Sequence, residues 1–289
     1  MEHRHKYEYK VDPLANTAAA KVVRMVGTNR RVLEIGAGPG SITRLLKDHG
    51  GCQVTAIELD SEAITKLTPF CDRIYQCDLN EAGWPSTLSG EHKFQVVVAA
   101  DVLEHLNSPP AILDAIKTLL DNDGYAVISL PNVGYNGVIA CMAQGDFAYG
   151  NWGLLDKTHV QFFGIQNIQR LFDAAGFAIL DAEFVVLHPN RTEFANFWQT
   201  LPAKIKCSLG DNRYGTIYQV VIKARPAKPD EHGLALDSIP IPTIQQSRYA
   251  GMTPRKAIFE FIKSVIRPYL SLESQEKLGR FMRRLGIRY

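Results

Sequence analysis

Short apolar runs alternate with amphipathic stretches along most of the chain, from about residue 30 to residue 225. The apolar runs are rich in valine and isoleucine, which favour strands, and most of them end in turn residues followed by a helical pattern. This alternation is typical of βαβ units and therefore predicts a parallel sheet with helices on both faces. The predicted strands are 31–35, 52–58, 72–76, 94–100 and 125–130, and the predicted helices begin near Ser41, Ser61, Pro109 and Gln166.

Two longer apolar runs, 177–187 and 215–225, follow the last predicted helix, which ends with Gly176 as its C-cap. No helical pattern lies between these runs, so they are predicted to finish the sheet as antiparallel strands. The expected fold class is therefore α/β, with a seven-stranded, mostly parallel sheet whose last strand is antiparallel.

The segments around this pattern differ from it in composition. Residues 1–29 form a predicted N-terminal cap segment, and the main domain is predicted to span 30–225. Two insertions, 133–164 and 188–213, interrupt the domain, and long irregular segments of this kind are usually lids or binding loops. Residues 226–253 hold four prolines without clear periodicity and are predicted to be a linker.

The last predicted segment, 254–289, is a basic amphipathic helical tail. Residues 252–289 contain nine arginines or lysines and three glutamates, which gives them a net charge of +6, whereas the whole chain carries +2. The pattern leaves two interpretations open. The tail lies on an anionic membrane surface as a peripheral contact, or it packs against the body of the protein or against a second subunit of a homodimer.

The composition argues against several classes of protein. No apolar run approaches the length of about 18 residues that a spanning helix needs, and the first ten residues, MEHRHKYEYK, lack the apolar centre of a signal peptide. A cytoplasmic protein is therefore expected, with any membrane contact at the inner face. Five cysteines without a CxxC pair fit neither a disulfide framework nor a zinc knuckle. No basic stripe accompanies the main domain, so a nucleic-acid partner is not expected.

A glycine-rich turn follows the first predicted strand, in the stretch VLEIGAGPGSIT. A strand that ends in such a turn and opens into a helix brings bare backbone and a helix N-terminus close to a ligand, as in nucleotide-cofactor sites. The glycines stand at 36, 38 and 40, and Ser41 occupies the position where a dinucleotide fingerprint would have its last glycine. This spacing argues against NAD.

The turn resembles the first motif of the class I S-adenosylmethionine-dependent methyltransferases, E/D-x-G-x-G-x-G, which stands here as Glu34, Gly36, Gly38 and Gly40. The order of elements resembles that family from about residue 30 to residue 225. The resemblance implies a Rossmann-like sheet that binds S-adenosyl-L-methionine and releases S-adenosyl-L-homocysteine. It places the amino-acid part of the cofactor at the glycines, with Glu34 orienting the turn or the ammonium. Tyr7 and Tyr9 are expected to fold across the cofactor, as N-terminal segments do in similar enzymes.

Two further motifs resemble the same family. In AIELD, Glu58 would accept hydrogen bonds from both ribose hydroxyls, with Leu59 beside it. In QCDLNE, Asp78 would accept from the adenine amino group and Leu79 would pack against the ring. A carboxylate suits a ribose because it accepts hydrogen bonds without donating any. For both acids a simpler interpretation stays open, an N-cap or a solvated loop position.

The stretches AADVLEHLNSPPAIL, SLPNVGY and DKTHVQFFG resemble the small-molecule branch of the family, which includes ubiquinone-type and sugar methyltransferases. Candidate catalytic residues lie at the end of the fourth strand and in the following insertion: Asp101, Glu104, His105, Asp156 and His159. Histidine is matched to proton abstraction near neutral pH, so His105 and His159 are the preferred bases. Asp101 is expected to orient the loop and to line the cofactor site. Alternatively, His105 caps the next helix and His159 packs inside the lid. Asp101, Asn132 and Asp156 could in principle hold a metal ion, but no metal site is predicted, because the acidic motif of magnesium-using catechol-type enzymes is absent.

The predicted function is transfer of a methyl group to a hydroxyl of a small or lipid-linked acceptor, such as a sugar of a bacterial glycan. A quinone-precursor or natural-product phenol is the alternative acceptor. From another class, the alternative is a non-catalytic scaffold that binds S-adenosylmethionine. An open pocket at which His105 and His159 converge would favour catalysis, and a plugged pocket would favour the scaffold.

Overall fold

Seven strands form a single sheet within residues 5–244, the part of the chain that the computed structural model describes. The chain divides into two compact units after Pro242, and the sheet belongs to the first. In chain order the strands are β1 (Arg31–Ile35), β2 (Gln53–Glu58), β3 (Arg73–Gln76), β4 (Phe94–Ala100), β5 (Leu120–Pro131), β6 (Phe177–Val186) and β7 (Ile217–Pro226). Their order across the sheet is β3-β2-β1-β4-β5-β7-β6.

Strands β1 to β5 pair in parallel, whereas β7 is antiparallel to both of its neighbours, β5 and β6. The predicted mostly parallel, seven-stranded sheet with an antiparallel last strand is therefore confirmed. Strand β7 lies between β5 and β6 rather than at the edge. The strand order reverses between β1 and β4, and ligands of open α/β sheets bind outside the carboxyl ends of the strands at such a reversal.

Eight α-helices surround the sheet within the described residues. They are α1 (Ala18–Val26), α2 (Thr43–Asp48), α3 (Ser61–Leu67), α4 (Pro109–Leu119), α5 (Asn136–Met142), α6 (Ile165–Ala174), α7 (Ala195–Thr200) and α8 (Ala203–Gly210). Helices α1 and α2 pack on one face of the sheet and α4 and α6 on the other. Because both faces are covered, successive residues of β4 are buried on alternate sides. Val96 and Val98 lie on the side of α1 and α2, and Val97 and Ala99 lie on the side of α4 and α6. Such strands appear in the sequence as continuous apolar runs.

The insertions contain short helices that the sequence pattern does not show. Helix α5 lies in the insertion 133–164, and α7 and α8 lie in 188–213. The expectation that no helix separates the last two strands is therefore wrong. These helices have six to eight residues, which is about two turns and too short to produce a recognisable hydrophobic period. Helix α1 lies within the predicted cap segment 1–29.

The first part of the predicted linker 226–253 lies against the edge of the sheet. The Ala227 N–H donates to the Gly176 carbonyl at 2.9 Å, the Leu234 N–H donates to the Ile179 carbonyl at 2.8 Å, and Leu236 is buried. The end of the linker and the predicted tail 254–289 lie outside the described residues. Among residues 5–244, no helix has the length and apolar character needed to cross a membrane.

Candidate active site

A cavity of about 950 Å³ lies at the carboxyl ends of the central strands. Its volume is that of a small-molecule or cofactor site. Ten of the predicted site residues line it: Glu34, Gly36, Gly38, Glu58, Leu59, Asp78, Leu79, Asp101, His105 and His159. Gly40 does not line the cavity; a Cβ atom there would lie 3.1 Å from the side chains of Leu67, the last residue of α3, and Phe70. The pocket is open and contains both histidines, which is the arrangement expected of a catalytic site.

The turn after β1 presents bare backbone to this cavity. Gly36 has a φ of +64°, and a Cβ atom there would lie only 2.8 Å from Cγ2 of Val102. Gly38 has a φ of +56°, and its missing side chain leaves open space. Gly36 is therefore required by packing, whereas Gly38 leaves room for a ligand to approach the backbone.

Glu58, at the end of β2, joins two loops of the cavity. Its Oε2 accepts from the Gly38 N–H at 2.6 Å, and its Oε1 accepts from the N–H groups of Leu59 and Asp60 at 2.8 and 2.9 Å. A carboxylate has about four acceptor positions, so three are filled by backbone donors. Glu58 thus positions the glycine turn in addition to facing the ligand space.

Glu34 is a buried acid beneath the turn. Only 2% of the residue is exposed, and Thr43 donates its hydroxyl to Oε2 at 2.6 Å. Burial and the nearby charge of Glu58 raise the pKa of Glu34 to about 7, although the Thr43 hydrogen bond lowers it. A cation in the cavity would therefore find a carboxyl group that becomes charged near neutral pH.

Both carboxylate oxygens of Asp101, which follows β4, are held by neighbouring strands. Ser129 of β5 donates to Oδ1 at 2.7 Å, and Gln219 of β7 donates to Oδ1 and Oδ2 at 3.0 and 2.9 Å. Desolvation raises the pKa of Asp101, and these hydrogen bonds lower it. The residue has a φ of +54°, a conformation that these bonds maintain. These contacts fit the predicted orienting role better than that of a free base.

The two histidines meet at the cavity wall. His105 belongs to a 3₁₀ turn after β4 (Leu103–His105), and His159 comes from the insertion 133–164. Their rings lie edge to face with centroids 4.6 Å apart. His159 Nδ1 lies 3.1 Å from the Leu154 carbonyl, to which the ring donates, so Nε2 keeps its lone pair. Burial and the charge of His105 lower the pKa of His159 to about 4, which leaves it neutral near pH 7.

Glu104 directly precedes His105 in the sequence, lies close to both histidines and is 1% exposed. Its Oε1 is 3.9 Å from His159 Nε2, and its Oε2 has no hydrogen-bond partner in the described part of the chain. Burial, together with the charges of Asp101 and Asp156, raises the pKa of Glu104 well above its usual value. The Glu104 carbonyl accepts from the N–H groups of Val160 and Gln161 at 2.9 and 3.0 Å, which joins the 3₁₀ turn to the insertion.

A chain of polar contacts connects the histidines to the N-terminal segment. Thr158 Oγ lies 3.1 Å from His105 Nδ1 and donates to Asp156 Oδ1 at 2.8 Å. Lys6 donates to the other oxygen of Asp156 at 2.8 Å. Burial alone would raise the pKa of Asp156, but the hydrogen bonds from Lys6 and Thr158 lower it to about 2. Lys6, Tyr7 and Tyr9 all line the cavity.

Sequence reasoning missed the roles of Lys6, Thr158 and Gln219. Lys6 and Gln219 lie far along the chain from Asp156 and Asp101, and no local motif marks them. Thr158 stands within the stretch DKTHVQFFG, but its contact with His105 spans 53 residues of the chain. The only available signal was indirect, since lids and terminal segments commonly border cofactor sites.

Comparison with known proteins gives consistent results. A family model described as a methyltransferase domain matches residues 3–182. The ubiquinone biosynthesis O-methyltransferase of Neisseria meningitidis serogroup C is 22% identical over 169 residues, which cover 55% of this chain and 68% of that relative. The enzyme of the same name from Psychrobacter arcticus is 27% identical over 177 residues, or 59% of this chain and 66% of the relative.

A solved structure shares the fold. The S-adenosylmethionine-dependent methyltransferase from Archaeoglobus fulgidus superposes with a TM-score of 0.50 at 17% identity, covering 72% of this chain and 92% of that one. At this identity the likeness concerns the fold alone.

Proposed function

Because the chain belongs to the methyltransferase-domain family and is an S-adenosylmethionine-dependent methyltransferase, we propose that it methylates a hydroxyl oxygen of a small or lipid-linked acceptor. One observation carries the choice of oxygen. A hydroxyl must lose its proton as it is methylated, and a neutral histidine, His159, lies at the cavity wall. Because its Nδ1 donates to the Leu154 carbonyl, its Nε2 keeps a lone pair that can accept this proton. An acceptor that is already nucleophilic, such as a thiolate, would not need this group.

The residues of the glycine turn suit the cofactor. The bare backbone at Gly38 admits the amino-acid part, Glu34 faces its ammonium, and Glu58 keeps one acceptor position for the ribose. Asp78 and Leu79 line the cavity beyond Glu58, where the adenine would lie. When bound, the cofactor supplies a methyl group that is already activated by its positive sulfur. The remaining task of the protein is to align the acceptor oxygen and remove its proton.

Aromatic rings near the histidines suit an acceptor with a ring. Tyr7, Tyr9 and Trp152 line the same cavity as His105 and His159. Rings stack on sugars and on phenols alike, so both acceptor classes remain part of the proposal. The glycan sugar is the acceptor predicted from the sequence. The phenol of a quinone precursor is favoured by the two relatives described above, both of which are named ubiquinone biosynthesis O-methyltransferases.

Calorimetric titration tests the cofactor part of the proposal. S-adenosylmethionine and NAD are titrated into the full chain and into Glu58→Ala. We expect wild type to bind S-adenosylmethionine and not NAD, and Glu58→Ala to bind it at least about tenfold more weakly, because the variant loses a ribose acceptor and the anchor of the glycine turn. Equal binding by folded Glu58→Ala would contradict the assigned role.

Methyl transfer to defined acceptors tests the rest. Labelled S-adenosylmethionine is offered with a panel of catechol-type phenols and a panel of sugar nucleotides and lipid-linked sugars. Product from wild type that falls at least about a hundredfold in His159→Ala supports the proposal. Transfer that proceeds equally well in the variant would show that His159 takes no part in removing the proton.

A further inference from the structure

The side chains of Glu104, His105 and His159 have the composition of a metal-binding site. Each offers one ligand atom, and the three atoms lie within 4.8 Å of one another. We infer that this cluster binds a divalent transition-metal cation in the same cavity as the cofactor. The inference departs from the prediction of no metal site, which relied only on the absence of a different acidic motif.

Both imidazole rings are held as metal ligands usually are. His159 donates Nδ1–H to the Leu154 carbonyl, and His105 Nδ1 lies 3.1 Å from both the carbonyl and the hydroxyl oxygen of Thr158. The Thr158 hydroxyl proton is directed to Asp156, so His105 donates to these oxygens. A ligating histidine almost always donates its second N–H in this way, which fixes the ring and leaves Nε2 for the metal.

Glu104 supplies the independent evidence for a ligand. Its carboxyl group is almost fully buried, and Oε2 has no hydrogen-bond partner within residues 5–244. A buried polar group without a partner is costly, and such groups in native proteins call for an explanation. A cation between Glu104 and the two histidines would satisfy this oxygen and neutralise the carboxylate.

The spacing needs only a small adjustment. Ligands about 2.0 to 2.2 Å from a tetrahedral zinc ion lie roughly 3.4 Å from one another. Glu104 Oε1 and His159 Nε2 are 3.9 Å apart, so a rotation of side chains by about half an ångström would bring them together. Their backbones are already joined, because the Glu104 carbonyl accepts from the N–H groups of Val160 and Gln161.

The ligand set determines the kind of cation. Two imidazoles and one carboxylate suit zinc and its neighbours among the divalent transition metals, whereas magnesium prefers oxygen ligands. Three protein ligands also leave at least one position open, which is the arrangement of catalytic rather than structural sites. That position faces the cavity, since all three residues line it.

The open position offers a role in methyl transfer that depends on the proposed function. An acceptor hydroxyl bound to the cation becomes more acidic, so its O–H bond breaks and the proton passes to solvent water. The oxygen then forms a bond to the methyl carbon while the carbon–sulfur bond breaks, and the electron pair returns to sulfur to give the neutral thioether. When the cation is bound, His159 Nε2 serves as a metal ligand, and the cation instead of a histidine base makes the acceptor hydroxyl easier to deprotonate.

Cobalt(II) is a suitable probe, because it occupies zinc sites and absorbs visible light. The full chain without an affinity tag is stripped with a chelator and titrated with cobalt chloride, followed by absorption and by calorimetry, with no S-adenosylmethionine or acceptor present. We expect one equivalent to bind, zinc to displace it, and an equal concentration of magnesium to leave it bound. Glu104→Gln and His159→Ala should each weaken binding at least about tenfold.

His92→Ala provides the matched control, since His92 is exposed and does not line the cavity; it should bind cobalt like wild type. Glu104→Gln keeps the size of a buried side chain, so it tests the site even if His159→Ala does not fold. Failure of wild type to bind one equivalent, or unchanged binding by Glu104→Gln, would overturn the inference. Because no cofactor is present, this result is separate from methyl transfer, which can fail while the cation site stands.

Discussion

Gly36 is a position where one added carbon should measurably destabilise the protein. Its φ of +64° disfavours any side chain, and a Cβ atom would lie 2.8 Å from Val102. We expect Gly36→Ala to lower the free energy of unfolding by about 2 to 4 kcal/mol, from a left-handed backbone and an overpacked contact. Urea denaturation measures the loss.

Gly38→Ala is the matched control, because its φ is also positive but nothing lies within 4 Å of the added carbon. Gly38→Ala should lower the free energy of unfolding by only about 1 to 2 kcal/mol, because of its left-handed backbone. It should also weaken S-adenosylmethionine binding. Equal losses of stability in the two variants would show that the contact with Val102 relaxes without cost.

Glu34 should make cofactor binding depend on pH. Its pKa is raised to about 7 in the protein without ligand, and a nearby ammonium would favour the charged form and lower that pKa. Binding should therefore release a proton, and the affinity should rise between about pH 6 and pH 8. Calorimetry in two buffers of different ionisation enthalpy detects the released proton. In Glu34→Gln both the proton release and this rise should disappear; their persistence would assign the effect to another group.

The site residues that the sequence could predict are those in local motifs. The glycines and Asp78 follow strands and Glu58 is the last residue of one, so their position in a parallel sheet follows from the alternation alone. The absence of a hydrogen-bond partner for Glu104 Oε2 among the described residues could not be predicted, because it depends on which groups of a distant insertion surround this oxygen. The same holds for Gln219, which reaches Asp101 only because β7 lies beside β5.

Helix α1 is attached to the sheet through an ion pair that is buried on its lysine side, as well as through apolar contacts. Lys21 is 6% exposed and donates its ammonium to Glu183 of β6, whereas the Glu183 side chain is 37% exposed. We expect Glu183→Ala to lower the free energy of unfolding by about 1 to 3 kcal/mol, because it leaves a buried ammonium without its carboxylate.

Lys21→Met should lower the free energy of unfolding by less than about 1 kcal/mol, since a methionine can fill the apolar site and the remaining Glu183 side chain reaches water. Thermal or urea unfolding of the two variants compares them directly. A larger loss in Lys21→Met would mean that the ion pair itself, rather than the unpaired charge, dominates.

The elements that the sequence predicts well are strands buried on both faces. Continuous apolar runs place all seven strands, with ends within a few residues except at β5, which begins at Leu120 rather than at residue 125. Helices α5, α7 and α8 could not be predicted, because one or two turns have no period and their stability comes from tertiary packing. Phe194 and Tyr135, for example, are buried in a cluster that only the fold assembles.

The cofactor should stabilise the molecule as a whole, since the cavity draws residues from the N-terminal segment, five strands of the sheet and the insertion 133–164. A ligand that binds only the folded state at a hundred times its Kd adds about 2.7 kcal/mol. For a protein of this size the midpoint of thermal unfolding should rise by roughly 4 to 6 °C. NAD should leave the midpoint unchanged, and a shift of similar size in Glu58→Ala would contradict the assigned contacts.

The position of β7 between β5 and β6 sets the order in which a growing chain can complete its structure. As the ribosome extends the polypeptide, β1 to β5 can pair with one another as they emerge, but β6 has no partner until residue 226 has left the exit tunnel. During that interval the edge of β5 is open and Asp101 lacks Gln219. The cavity of the candidate active site is therefore among the last regions to form during synthesis, and a nascent chain that stalls before β7 exposes an unpaired apolar strand to chaperones and proteases.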